Sequence, residues 1–173
     1  MGTVLGGTYD STDACGVPDV TVIAKIGFDH MAFLGFTLAK IAAEKAVISK
    51  NGTALVLESQ KKEAMDVLNK AAERADIKTT KVVNLDEIRI LPQKDGKQCF
   101  SYAGYDAVTM KMLGVHQYEN AVAAMLAAEL FFEKYFAGKK NVPERKALQH
   151  AIREGIDRTQ WMGRMELVSN DPF

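Results

Sequence analysis

Cysteine is scarce in this sequence, with two residues among 173, and Cys15 and Cys99 lie far apart. Neither belongs to a spacing typical of a metal site, so we interpret both as reduced thiols. No run approaches the roughly 18 apolar residues that cross a bilayer. The N-terminus also lacks the basic region and long apolar stretch of a secretory signal. We therefore expect a cytoplasmic protein with no membrane partner.

An excess of either charge is also missing, because 22 Lys and Arg residues balance 22 Asp and Glu residues. A chain without net charge has no overall basic field that would attract nucleic acid. We expect no nucleic-acid partner, and we expect a monomer.

A phosphate loop is a further absence, since Gly-Lys-Ser/Thr occurs nowhere in the chain. The double glycine of "LGGTYDSTD", residues 5–13, offers only backbone amides for close approach to an anion. The usual lysine for the β and γ phosphates of a nucleotide is therefore missing from this sequence.

What the sequence does contain is an alternation of apolar runs and amphipathic segments, with 47% hydrophobic residues. Strands are predicted at 20–27, 53–58, 78–84, 105–113 and 163–169, with a hairpin around "KDGK". Helices are predicted at 33–48, 59–75, 117–137 and 143–156. Ser59 is the predicted N-cap of the second helix. The order predicts an α/β fold: a mostly parallel sheet flanked by helices, with a small antiparallel β insertion.

Lys45 is a charged residue in the middle of an apolar stripe. On a helical wheel of about 100° per residue, it lies between positions shared by Leu34, Leu38, Ile41 and Ile48. Its side chain could extend to water from the helix end. Alternatively, burial could lower the pKa of the amine, which could then act as a nucleophile or base, or take up carbon dioxide as a carbamate that holds a metal.

Asp29 and His30 follow the first predicted strand directly. Ligands of open α/β sheets bind at this carboxyl edge, where a neutral imidazole could ligate a divalent cation. A simpler interpretation is a polar pair at the start of a helix, with the aspartate favoured by the helix dipole.

Three polar residues, His116, Gln117 and Asn120, begin the third predicted helix. On the wheel, Asn120 shares a face with Ala124 and Phe131, so we expect its amide on the packed side. There it needs a partner, either an internal hydrogen bond or the edge of an adenine. Arg164, beside a glycine before the last predicted strand, is either a phosphate contact or a surface residue.

Four segments in this order resemble the central domain of folylpolyglutamate synthase and dihydrofolate synthase, relatives of the muramyl peptide ligases. "LGGTYDSTD" is similar to a glycine-glycine segment that runs into Asp-Ala-Thr-Asn. "IGFDHMAFLGFTLAKIAAEKAVISKNG" resembles Gly-Leu-Asp-His, Leu-Gly-x-Thr and Glu-Lys-Ala at matching spacing. "LGVHQYENAVAA" is similar to His-Gln-x-x-Asn-Ala, and "WMGRMELV" to Pro-Gly-Arg-Phe-Glu.

The resemblance implies a role for each matching residue. His30 would be a magnesium ligand, and Lys45 a carbamylated, catalytic ligand. Asn120 would meet the adenine of ATP with His116 and Gln117 nearby, and Arg164 would contact phosphate. The implied reaction joins L-glutamate to a folate or to dihydropteroate, with ATP and Mg²⁺, through an acyl phosphate.

The sequence also departs from that family. The family has a metal-binding glutamate just before the glycine segment, where this sequence has Gly2 and Thr3. The family also has an arginine after the two glycines, where this sequence has Thr8. We expect residues 1–173 to be a single central domain, without the phosphate loop and the C-terminal glutamate-binding domain, and inactive by itself. The alternatives are a non-catalytic protein of the same fold and a muramyl peptide ligase.

Overall fold

A computed structural model of the protein describes residues 16–28 and 37–163. Its strands are β1 (Val20–Ile23), β2 (Ala54–Leu57), β3 (Thr79–Val82), β4 (Arg89–Lys94), β5 (Lys97–Tyr102) and β6 (Tyr105–Met110). Its helices are α1 (Leu38–Ala46), α2 (Lys62–Arg74), α3 (His116–Phe136) and α4 (Arg145–Arg158), with a short 3-10 turn at Leu85–Glu87. Within these ranges, no helix is long and apolar enough to cross a membrane.

The parallel sheet has the order β1-β2-β3. Its central strand, β2, has the sequence ALVL and is buried along its whole length. Leu55 and Leu57 pack in one core cluster with the apolar faces of α1 and α2, while Ala54 and Val56 pack in a second cluster with α3. Successive side chains of a strand point to opposite faces. A strand with helices on both faces is therefore apolar throughout, as the sequence predicted.

The second sheet is antiparallel, in the order β4-β5-β6. Asp95 and Gly96, with φ of 53° and 73°, form the tight turn between β4 and β5, as favoured for an Asp-Gly hairpin. Pro92 lies on the edge strand β4, near a shift in register, where a missing N–H costs least. The predicted antiparallel insertion is thus confirmed.

Helix α4 packs on the edge strand β6 of this second sheet, while α3 packs on β1 and β2 of the parallel sheet and meets β5 near its first turn. Phe100 is fully buried, and its ring meets the Tyr118 ring edge-on, with centroids 5.6 Å apart. Asp157 of α4 accepts hydrogen bonds from Lys97 Nζ at 2.7 Å and Thr109 Oγ1 at 2.6 Å. These contacts pull the pKa of Asp157 below its usual value, chiefly through the Lys97 hydrogen bond.

Several predicted boundaries were wrong. Helix α1 begins at Leu38 with Thr37 as N-cap, not at residue 33, and ends before Ile48. Helix α2 begins at Lys62, and the capping role predicted for Ser59 is wrong. Strand β1 stops at Ile23 because the next backbone N–H groups bind side chains instead of a neighbouring strand. The predicted final strand, at 163–169, lies almost wholly outside the described residues.

The packing predicts a large difference between two residues that face each other across β4 and β5. Phe100→Ala removes a fully buried ring and should destabilise the protein by about 3–5 kcal/mol in urea unfolding. Its cross-strand partner Ile90 is 58% exposed, so Ile90→Ala should cost less than about 1 kcal/mol. Equal losses in the two variants would contradict the described core.

Candidate functional site

Three of the predicted site residues meet at the start of α3. Asn120 Nδ2 donates a hydrogen bond to Gln117 Oε1 at 3.0 Å. Gln117 Nε2 lies 3.2 Å from His116 Nε2. Because the glutamine amide nitrogen can only donate, this ring nitrogen must be the unprotonated acceptor of the imidazole. The three side chains therefore form one hydrogen-bonded chain with a defined direction.

The face predicted for Asn120 was wrong. Asn120 and Ala124 are exposed, and Phe131 is 48% exposed. The helix instead buries the stripe that contains Tyr118, Val122 and Met125. Gln117 is buried, and its Oε1 accepts a hydrogen bond from the Asn120 amide. The Asn120 side chain therefore lies at the surface of the protein and not in the core.

Lys45 lies in the last turn of α1 and is half-buried. The buried residues Leu38 and Ile41 precede it on the same helical face. No ion pair of Lys45 occurs within residues 16–28 and 37–163. Both interpretations of this lysine, extension to water and metal ligation, stay predictions.

The other predicted residues, His30 and Arg164, lie outside the described residues, as does Asp29. In the part of the chain that the structure describes, no group of three or more His, Cys, Asp or Glu side chains could hold a metal ion. The metal and phosphate roles that the resemblance implies for His30 and Arg164 therefore stay predictions.

A polar cluster that the sequence analysis missed lies where β1 and β2 end. It contains two buried carboxylates, Glu58 and Glu119, which are 3% and 7% exposed. Glu58 Oε2 accepts the backbone N–H of Lys25 at 2.6 Å. Glu119 Oε1 accepts the backbone N–H of Ser59 at 2.6 Å, and its Oε2 lies 3.5 Å from Lys25 Nζ. Each carboxylate thus joins two separate segments of the chain.

Gln60 completes this cluster on the side of β1. Its Oε1 accepts the backbone N–H of Ile26 at 2.8 Å, and its Nε2 donates to the Ala24 carbonyl at 3.1 Å. Side chains that follow β2 therefore satisfy the backbone that follows β1. These contacts fix the residues just before Asp29 and His30 in the sequence.

Burial raises the pKa of Glu58 above its ordinary value of 4.5, and the negative charge of Glu119 adds to the effect. The hydrogen bond from the Lys25 backbone and the Lys25 charge act in the opposite direction. The site thus places two carboxylates close together, and the ammonium group that pairs with them among the described residues, that of Lys25, is itself largely exposed.

The sequence did contain a signal for Glu119. Counting along α3 from Glu119 at steps of three or four residues gives Ala123, Leu126 and Leu130, which belong to the apolar face. Glu119 is therefore a charge on an apolar stripe, the same pattern that singled out Lys45. Glu58, at the end of the apolar run "TALVLE", had a weaker signal of the same kind.

The fold and these motifs define a class of protein. The description "Mur ligase middle domain" matches residues 7–128, and the chain belongs to that family. Its curated relatives include proteins named dihydrofolate synthase/folylpolyglutamate synthase and folylpolyglutamate synthase. Dihydrofolate synthase/folylpolyglutamate synthase of Bacillus subtilis (strain 168) is 34% identical, over 98% of this chain and 38% of that protein. The chain thus spans about two fifths of that relative's length.

Solved structures support the same fold. The complex of FPGS, folylpolyglutamate synthase, with AMPPCP matches with a TM-score of 0.81 at 22% identity, over 96% of this chain and 40% of that chain. Mycobacterium tuberculosis folylpolyglutamate synthase complexed with ADP matches with a TM-score of 0.67 at 28% identity, over 87% of this chain and 33% of that chain. The predicted fold class and the resemblance are confirmed.

The Glu58 environment predicts a pH-dependent effect on stability. A raised pKa means that the folded state holds the Glu58 proton more tightly, so the contribution of Glu58 to stability falls as the pH rises above 4.5. Glu58→Gln keeps an acceptor for the Lys25 N–H and removes a buried charge. We expect it to raise the free energy of unfolding by about 1 kcal/mol at pH 8, with the gain shrinking towards pH 4.5.

Denaturant unfolding at several pH values measures this difference, with the exposed Glu44→Gln as control. Glu44→Gln should follow the wild-type protein at every pH. A Glu58→Gln protein that is less stable than wild type at pH 8, and closer to it at pH 5, would contradict the assigned environment.

Proposed function

We propose that this chain is the central ATP- and Mg²⁺-binding domain of a ligase that joins L-glutamate to a folate or to dihydropteroate. The observation that supports it most is the exposed Asn120, held by Gln117 and His116 at the start of α3. Membership of the Mur ligase family and the names of the relatives point to the same activity. Because the chain spans only part of those relatives, the activity is assigned to the full-length protein, the product of the whole gene.

The Asn120 carboxamide suits the recognition of adenine. An asparagine amide can donate to one atom of the adenine edge and accept from another, a pairing that is bidentate and specific. Here Nδ2 is already oriented by Gln117 Oε1 and keeps a second hydrogen for a ligand. A preoriented amide loses less entropy on binding than a free one.

The magnesium role of Lys45 rests on donor chemistry, whereas that of His30 is carried over from the resemblance alone. Mg²⁺ prefers oxygen ligands, and an ammonium group offers none. A carbamate formed on the Lys45 amine would offer two oxygens and a negative charge at the end of α1. In this proposal, Lys45 as carbamate and His30 hold magnesium, and Arg164 contacts phosphate.

The proposed reaction has two steps. An oxygen of the folate or dihydropteroate carboxylate takes the γ-phosphoryl group of ATP, which gives an acyl phosphate and ADP. The α-amino group of glutamate then attacks the acyl carbon, the C–O bond to phosphate breaks, and the amine loses a proton. Magnesium supplies charge neutralisation for the phosphoryl transfer. The relatives solved with AMPPCP, with AMPPCP and folate, and with ADP support these small-molecule partners.

Asn120→Ala in the full-length protein tests the nucleotide site. Loss of a specific amide contact should raise the KM for ATP about ten- to a hundredfold, equivalent to about 1–3 kcal/mol. Asn69→Ala, at an exposed position of α2, is the control and should leave that KM unchanged. The readout is glutamate-dependent release of ADP, and an unchanged KM in Asn120→Ala would refute the proposed adenine contact.

Lys45→Met tests the metal role. If Lys45 is a carbamylated ligand, this change in the full-length protein should abolish most of the activity while the melting temperature stays near that of wild type. Removal of bicarbonate should lower wild-type activity, and its return should restore it. Lys40→Met, on the exposed face of α1, should behave as wild type.

If Lys45 only extends to water, Lys45→Met should be neutral or stabilising, since it places an apolar side chain on an apolar stripe. Wild-type turnover of Lys45→Met at saturating magnesium would therefore exclude the ligand role.

A further inference from the structure

Glu119 has an unusual position for an acidic residue in the first turn of a helix. A carboxylate there is favoured by the helix dipole and ordinarily remains in water. Glu119 is instead 7% exposed and directed towards the ends of β1 and β2. A buried charge must be satisfied by partners, and these are the Ser59 N–H and the Lys25 ammonium group.

The two partners belong to different segments. Ser59 follows β2, and Lys25 follows β1. Lys25 is also held through its backbone N–H by Glu58, so a change at Glu119 acts on a segment that is otherwise restrained. Among the described residues, the Glu119 side chain is therefore a polar contact that joins the start of α3 to both strand ends.

Asn120 is the next residue along the helix and, unlike Glu119, is exposed. Its amide can meet a ligand in a fixed place only if the first turn of α3 is fixed. Gln117 controls the rotation of the Asn120 side chain, but Gln117 lies on the same turn and cannot fix where that turn sits on the sheet. Glu119 anchors that same turn to the sheet.

We propose that Glu119 is a positioning residue, which sets the place of Asn120 relative to the loop after β1. This inference rests on the proposed nucleotide site and deepens it. Glu119 does not touch the nucleotide. It acts through Asn120 on one side and through the Lys25 segment, which runs on to Asp29 and His30 in the sequence, on the other.

The test is a double-mutant cycle in the full-length protein, with the KM for ATP as readout. Glu119→Ala should raise that KM about tenfold, within the range found for residues of one hydrogen-bonded network. In an Asn120→Ala background the same change should raise it less than about twofold, because the contact that Glu119 positions is already gone. The KM for glutamate should stay within about twofold of wild type in both.

Two further variants separate positioning from a loss of structure. Glu119→Gln keeps an acceptor for the Ser59 N–H, and we expect it to restore the KM for ATP to within about threefold of wild type. Glu133→Ala, at the exposed far end of α3, is the control and should change nothing. Melting temperatures establish that each variant is folded. If Glu119→Ala does not fold, Glu119→Asp takes its place, since it keeps the charge but is one methylene shorter.

The outcomes distinguish the two proposals. Suppose that Asn120→Ala raises the KM for ATP as expected. The positioning role alone is then overturned if Glu119→Ala has no effect on this KM. It is also overturned if the effect of Glu119→Ala is undiminished in the Asn120→Ala background. Absence of any Asn120→Ala effect overturns the proposed nucleotide site, and the positioning role with it.

Discussion

The contact on which the rest of the site depends is the one between the Glu119 carboxylate and the Ser59 N–H, 2.6 Å apart. It takes up a backbone donor at the point where β2 has ended and α2 has not yet begun. A buried N–H without a partner is costly, and so is a buried carboxylate without donors. Each group thus meets the requirement of the other, and the start of α3 is held against the sheet as a consequence.

The need to satisfy backbone N–H groups also explains where the first strand ends. Lys25 and Ile26 would continue β1 if a neighbouring strand took their N–H groups, but Glu58 and Gln60 take them instead. The chain therefore leaves the sheet at a fixed place, just before Asp29 and His30. Ligands of open α/β sheets bind at such carboxyl edges. A small side-chain network at this edge therefore bears directly on the candidate site.

How much of this could be predicted from the sequence depended on whether the signal was local. The four residues of β2 were predicted because an apolar run needs no further information, and Asp95-Gly96 because few sequences suit that turn. Ser59 was misassigned as a cap because α2 begins only at Lys62, and the Ser59 N–H is instead taken by a distant glutamate. Such a contact, 60 residues away in the chain, has no local pattern.

The same distinction, between contacts that are local in the sequence and contacts that are not, applies to the candidate site. His116, Gln117 and Asn120 are close in sequence, and the structure joins them. The face of Asn120 was predicted wrongly, because α3 is apolar over much of its circumference. Its alanines therefore did not show which face of the helix is buried. Glu119 could have been found by the helical-wheel argument used for Lys45, and Glu58 gave a weaker signal, but the contacts of both with the Lys25 segment could be seen only in the fold.

The central claim is that the adenine of ATP binds at the first turn of α3. Photolabelling of the full-length protein with an azido-adenine analogue of ATP, followed by mass spectrometry of the tryptic peptides, tests it most directly. The account predicts label on the peptide of residues 112–134, which contains Asn120, and loss of that label when excess ATP is present. ATP-protected label confined to other peptides would contradict it.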